Sequence, residues 1–225
     1  MLGYLYFLIL HGCYGKCLYE IRLWIIRDRL LINDDKTEFA LIGTNAQLRK
    51  VSISTLRIGG AEVHPSIDPI RSLGVWIDNT FSMKPHVINT CKSAFFHLHN
   101  IRRIRKYLSR DSTEKLIHAF VSNRLDYCNG LLYGLPKNLI SKLQRVQNTA
   151  ARIVHCMPTF CHITPLLFDL HLLPVKFRID YKIIITIFKC LHNSTTLPIK
   201  FIICPKELKV WSQIEKSIST FQTQL

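Results

Sequence analysis

The sequence predicts an α+β fold that is mostly α: one helix, a few antiparallel strands to about Asp78, and then a helical bundle. Three observations predict it. From Pro85 to His155, apolar residues recur at a spacing that places them on one side of a helix turning about 100° per residue. Between Val51 and Asp78 the period shortens to a loose alternation broken by Gly59-Gly60, the mark of short strands and a hairpin. Hydrophobic residues fill 48% of 225 positions, enough for a packed core in one domain or two small ones and too many for a mainly disordered chain.

Taken in order, Leu2 to Leu10 is an apolar run with no basic residue before it. It falls well short of the ~20 residues that span a bilayer and lacks the charged start of a signal peptide, so a soluble chain with an adhesive N-terminus is expected. Leu18, Ile21, Ile25 and Leu30 predict a helix, with Arg22, Arg27 and Arg29 interspersed, that breaks at Asn33-Asp34-Asp35. Phe39 to Ile42 reads as a short strand stopped by Gly43. A hairpin turns at the glycine pair within Val51 to Val63, and beyond Pro65 and Pro69 the stretch Leu73 to Asp78 reads as a further strand. Its Trp76 suits the core, where a large apolar area is best placed, or a surface that meets a ligand.

Val87, Cys91, Ala94, Phe95 and Leu98 open the helical part, with Lys84 to Leu108 forming one long helix or two. The stripe Ala94, Leu98, Ile101, Ile104 and Leu108 opposes Arg102, Arg103, Lys106 and Arg110. Asp111 and Glu114 stand at capping-box spacing ahead of Leu116, Ile117, Phe120, Val121 and Leu125, and Asn129-Gly130 with Gly134-Leu135-Pro136 ends this second helix. A third, Leu139 to His155, sets Ile140, Leu143, Gln147, Ala150 and Val154 against Lys142, Arg145 and Arg152. Three such helices bury their stripes together and leave cations outside. His162 to Pro165 closes the bundle, and Pro174 suits the first turn of a helix over Val175 to His192 that is apolar on nearly every side and needs further protein to cover it. Pro198 to Leu225 reads as a poorly specified tail.

Thirty Lys plus Arg against fifteen Asp plus Glu give a net charge of +15, an excess that attracts phosphate backbones or anionic membrane surfaces. Arg102, Arg103, Lys106, Arg110, Lys142, Arg145 and Arg152 are therefore either phosphate contacts or an ordinary solvated helix face. Basic helices with apolar faces also suit a membrane surface, although no stable span is expected. The eight cysteines are scattered, several within apolar stripes, as reduced thiols of an intracellular protein are. His155-Cys156 and Cys161-His162 bring four zinc-type ligands together, but Pro158 lies between the pairs and the spacing matches no finger, so no metal is assigned.

The runs SAFFHLHNIRRIRKYLS, LIHAFVSNRLDYCNGLLYGLP, LQRVQNTAARIV and HITPLL carry a resemblance. In this order they are similar to the region after the catalytic palm in reverse transcriptases of jockey-like, LINE-type non-LTR retrotransposons, RNA-directed DNA polymerases, and the similarity covers roughly Lys16 to Leu197. The resemblance implies an unmatched N-terminus over 1–15, an incomplete palm edge over 16–80, a helical thumb-like region over 84–197 and a tail over 198–225. It labels Leu31 to Gly43 as motif D, where Lys36 matches a lysine near the incoming nucleotide's phosphates; the residue alone reads rather as a solvated turn lysine. It labels Leu73, Gly74, Val75 and Trp76 as part of the primer-grip hairpin. The implied partner is RNA or an RNA–DNA duplex.

Polymerases of this family hold two magnesium ions on carboxylates from an early palm strand and a Tyr-Xaa-Asp-Asp turn. This sequence contains no such turn: no tyrosine-led strand precedes Asp34-Asp35, and Asp126-Tyr127 falls in a predicted helix. The chain alone is thus expected to bind without adding nucleotides and to carry no cofactor, because magnesium belongs to the missing palm carboxylates. The alternatives are a decayed element without activity, part of an active polymerase whose palm is encoded upstream, and a membrane-surface helical protein. An incomplete palm also leaves an uncovered sheet edge and apolar face, so association with the missing palm region or with a second copy is expected.

Overall fold

The computed structural model describes residues 6–8, 14–30, 37–51, 55–58 and 61–191. It is α+β and mostly helical, and it divides into two compact units, Met1–Lys92 and Ser93–Leu225. Lys36, Asp34-Asp35, Gly59-Gly60 and the tail from Pro198 lie outside the described residues.

In the first unit, β1 (Tyr6–Leu8) and β2 (Glu38–Ala40) flank α1 (Tyr14–Arg27). They pair in parallel, with Phe7 opposite Phe39; the sequence reads residues 6–8 only as part of an apolar run, and the strands it does predict are antiparallel. A helix between two paired strands is the reason: a crossover returns the chain in its original direction, which a tight turn cannot do. After α2 (Asn45–Leu48), capped by Thr44 and Gln47 in a capping box, β3 (Leu56–Ile58) and β4 (Ala61–Val63) pair antiparallel with Ile58 opposite Ala61. The antiparallel pairing falls where the sequence predicts a hairpin, and the turn expected at Gly59-Gly60 lies outside the described residues.

β5 (Ile70–Ser72) and β6 (Val75–Ile77) form a second hairpin, with Ser72 opposite Val75. Leu73 and Gly74 are therefore not strand residues. They are the two-residue turn, both at positive φ (46° and 85°), as a type I′ connection demands. Ile25, Phe39, Ile70, Val75, Met83 and Val87 form the core of this unit. Asp78 takes hydrogen bonds from Thr80 Oγ1, Ser82 N and Met83 N at the start of α3 (Lys84–Ile104). Burial pushes the Asp78 carboxyl up, but these hydrogen bonds outweigh it and hold the group below its ordinary value.

The second unit takes up α3 from Ser93. Ala94, Leu98 and Ile101 are buried as the stripe predicts, but Ile104 is 46% exposed because the α-helix ends there and a 3-10 turn, Arg105–Tyr107, rotates the face. α4 (Arg110–Ile117) is capped by Ser109, whose Oγ accepts from Ser112 N at 3.1 Å. Asp111 instead sits in the first turn and pairs with Lys115, so the predicted capping box is two residues out of place. A π-helical turn, His118–Ser122, then leads into α5 (Asn123–Asp126). The wider turn keeps Ile117, Val121 and Leu125 inside and puts Phe120, predicted to be buried, outside.

The chain leaves α5 through Cys128 at φ 52°, one residue before the predicted Asn-Gly break, and Asn129–Leu132 continues as a 3-10 turn. α6 (Lys137–His155) is the hub of the unit: Leu143, Gln147, Ala150 and Val154 are buried as predicted, joined by Leu139, Val146, Ala151 and Ile153. Gln147 and Gln144 reach the chain ahead of the last helix, donating to Leu173 O and accepting from Val175 N. α7 (Thr164–Asp169), with Pro165 in its first turn, and α8 (Val175–Leu191) complete the fold. α8 packs through Val175 and Ile179 but leaves Tyr181 and Phe188 exposed, in keeping with a helix apolar on more than one side. Among the described residues, no helix is long and apolar enough to cross a membrane.

Candidate nucleic-acid interface

α6 ends in a Schellman motif: Cys156 stands at φ 54°, its N–H donates to Ile153 O, and Met157 N donates to Arg152 O. Two arginines finish this end. Arg105 donates from Nε to Ile153 O at 3.0 Å and from its two terminal nitrogens to Val154 O and Leu108 O, both at 2.8 Å. Arg152 donates to Cys161 O at 3.3 Å. Cations on the last carbonyls oppose the negative end of the helix dipole.

Around this end lies a cleft of about 470 Å³ lined by Arg102, Arg105, Lys106, Thr149, Arg152 and Cys156, with Ile153, Met157, Pro158 and Thr159. Among the described residues, no carboxylate lines it. Arg102 and its neighbour Arg103 are exposed and make no ion pair among the described residues, while the Lys106 ammonium lies 4.8 Å from the Tyr107 ring centre. Arg152 keeps a buried Nε–H with no hydrogen-bond partner among the described residues. An anionic oxygen entering the cleft would meet the positive charge of Arg102, Lys106 and Arg152.

From the cleft, Arg152, Thr149, Arg145 and Lys142 follow one another at three- and four-residue steps, a single stripe of α6 about 15 Å long. Arg145 and Lys142 are exposed and also make no ion pair among the described residues. Arg110, predicted to belong to the same set, is instead tied to Asp169, which also lies 3.5 Å from His155 Nε2. The predicted set thus separates into Arg102, Lys106 and Arg152 at one cleft, Arg145 and Lys142 along the stripe leading from it, Arg103 exposed but outside the cleft lining, and Arg110 paired with Asp169. Arg105 escapes the sequence reading, since an arginine that finishes a distant helix leaves no local signal.

The primer-grip-like residues lie in the first unit. Leu73 projects at the hairpin turn, 86% exposed, Gly74 completes the turn and Val75 is buried. Trp76 lies between the two predicted placements: it is half-buried, with the Arg71 guanidinium 5.8 Å from its ring centre. Its backbone N–H donates to Nδ1 of buried His86 at 3.5 Å, and burial holds that imidazole below its ordinary value. His155, Cys156, Cys161 and His162 do not converge; among the described residues no group of three or more His, Cys, Asp or Glu side chains is placed to hold a metal ion.

This arrangement gathers positive charge and hydrogen-bond donors at one end of α6, the chemistry an anion would require. Among the described residues Asp169 pairs with Arg110, Asp111 with Lys115 and Asp126 with Arg178. Compared with models of known protein families, with curated proteins and with solved structures, the chain finds no match.

Proposed function

We propose that this chain is the palm-edge and thumb part of a LINE-type reverse transcriptase and that it grips a primer–template duplex by its phosphates. The observation that carries the reading is the cleft at the end of α6, where Arg102, Lys106 and Arg152 meet with no carboxylate among them and a basic stripe leads away along the helix. Duplex phosphates offer one charge per ~1.7 Å of axis, so a stripe of about 15 Å follows several of them without reading sequence. Asp78, Asp111, Asp126 and Asp169 serve caps and ion pairs and do not fit a two-magnesium centre, so no nucleotide-adding step is assigned to this chain.

The test is binding of the full chain to a blunt RNA–DNA duplex by fluorescence anisotropy over a range of salt concentrations. Reversing charge in R102E/K106E is expected to weaken binding and to reduce the slope of log affinity against log salt by about 2, roughly one per phosphate contact removed. An unchanged slope would take both residues off the contact surface.

A further inference from the structure

A second feature of the helical unit has no part in the cleft. The π-helical turn His118–Ser122 turns Phe120 outward, 43% exposed, and stacks it on His97 of α3 with ring centres 5.2 Å apart and planes 23° from parallel. Phe96 meets the same imidazole edge-on, at 5.5 Å and 78°, and is itself 63% exposed. Two phenyl rings are thus held against a third ring while still open to water, although burying them would be favourable. π-turns inside α-helices are often found at functional sites, where the extra residue aims a side chain.

The chemistry around the rings is cationic. Arg124, one turn beyond Phe120, is exposed and makes no ion pair among the described residues. Arg103 is exposed seven positions beyond Phe96, on the same stripe of α3 and about 10 Å along the axis. Nearby Asp126 is tied to Arg178, and Glu114 lies 3.7 Å from His118. Burial, and then the charge of Arg124, hold the His97 imidazole below its ordinary value of 6.5.

We propose that Phe96, His97 and Phe120, flanked by Arg124 and Arg103, form a stacking platform for an unpaired base of a single-stranded nucleic acid. A planar ring attached to a phosphate matches both halves of the patch: base stacks on phenyl, phosphate meets guanidinium. A second copy of the chain matches only the rings, since its +15 charge would bring cations onto cations. The inference rests on the nucleic-acid reading above and adds to it a single-stranded segment held apart from the duplex.

Two probes test it on the full chain: the blunt duplex, and the same duplex with a short overhang carrying 2-aminopurine, whose fluorescence is quenched by stacking. The expected result is a change of quenching on binding that is lost in Phe96→Ala, with the overhang duplex bound roughly tenfold more weakly, blunt-duplex affinity unaltered and Phe96→Tyr behaving as the parent. The proposal is overturned if Phe96→Ala binds both probes like the parent or loses both equally. It is also overturned if Phe96→Ala only converts an oligomer to a monomer in light scattering. If R102E/K106E leaves blunt-duplex binding intact while the overhang signal still depends on Phe96, the cleft reading fails and the platform stands.

Discussion

The strand-bearing unit and the helical unit hold their chains in different ways. Among the described residues, residues 1–92 contain three two-stranded sheets of three residues per strand, none joined to another. Residues 93–225 are organised on α6, whose Leu139, Leu143, Val146, Ala150 and Val154 bury one continuous side. A helix satisfies its own backbone and adds packing along its length, whereas an isolated pair of short strands is marginal and depends on a few buried side chains and the right turns. Sensitivity to mutation should therefore be spread out in the helical unit and concentrated in the other.

The largest effects test that contrast directly. Phe39 is fully buried in β2 and Leu143 is 1% exposed in α6. Each should cost about 3–4 kcal/mol when cut to alanine, by lost burial and the cavity left behind. For Leu143→Ala the expected sign is a lowered midpoint of the helical circular-dichroism transition. For Phe39→Ala it is accelerated hydrogen exchange at the Ser66 amide, which donates to Phe39 O at 2.8 Å. Unchanged Ser66 protection would show that the strand unit does not hinge on that one side chain.

A smaller effect is expected from acid. His86 is buried and accepts from Trp76 N, and its folded pKa lies below the unfolded 6.5. For a histidine depressed in this way, the folded form binds fewer protons between the two pKa values. Its contribution is therefore complete above about 6.5 and is lost as pH falls towards the folded value. The Trp76 amide, after correction for intrinsic rates, should lose protection over that window, and His86→Gln, which keeps an acceptor without a titrating ring, should flatten the loss. A His86→Gln chain as acid-sensitive as the parent would assign the sensitivity to other groups.

What the sequence disclosed follows the same divide. The α6 stripe was legible because Leu143, Gln147, Ala150 and Val154 repeat at one period over a long helix, a signal that tertiary packing only reinforces. The strands were legible as alternation, but their limits were not: Leu73 looks like the start of a strand by composition and is a turn by backbone. The direction of β1 against β2 depends on the crossover through α1, which no alternation records. Asp111 and Glu114 stand at capping-box spacing in the sequence, but the cap is Ser109, because its backbone is the extended one a cap requires and its hydroxyl reaches Ser112 N. In the candidate interface, the exposed cations could be read from the wheel. The roles of Arg105 and Arg152 could not, because each is set by carbonyls brought near by folding. The stacked His97 and Phe120 are separated by the π-turn and by more than twenty residues, beyond any local pattern.

The smallest predicted effect goes the other way and bears on why the strand unit has the turn it has. Leu73 adopts φ 46° and is 86% exposed, so a bulky side chain carries the cost of a left-handed backbone with little burial to offset it. Leu73→Asn would give the Asn-Gly pair that type I′ turns favour and should stabilise the unit by about 0.5–1 kcal/mol, read as a higher urea midpoint at unchanged slope. A lowered midpoint would mean that contacts of the leucine outweigh its backbone cost. A raised midpoint with weaker binding to the overhang duplex would mean that the turn retains leucine for contact with nucleic acid, strain held at a functional tip in exchange for stability. A raised midpoint with binding unchanged would remove Leu73 from the primer-grip reading and leave Trp76 as the large side chain of that hairpin still open to contact.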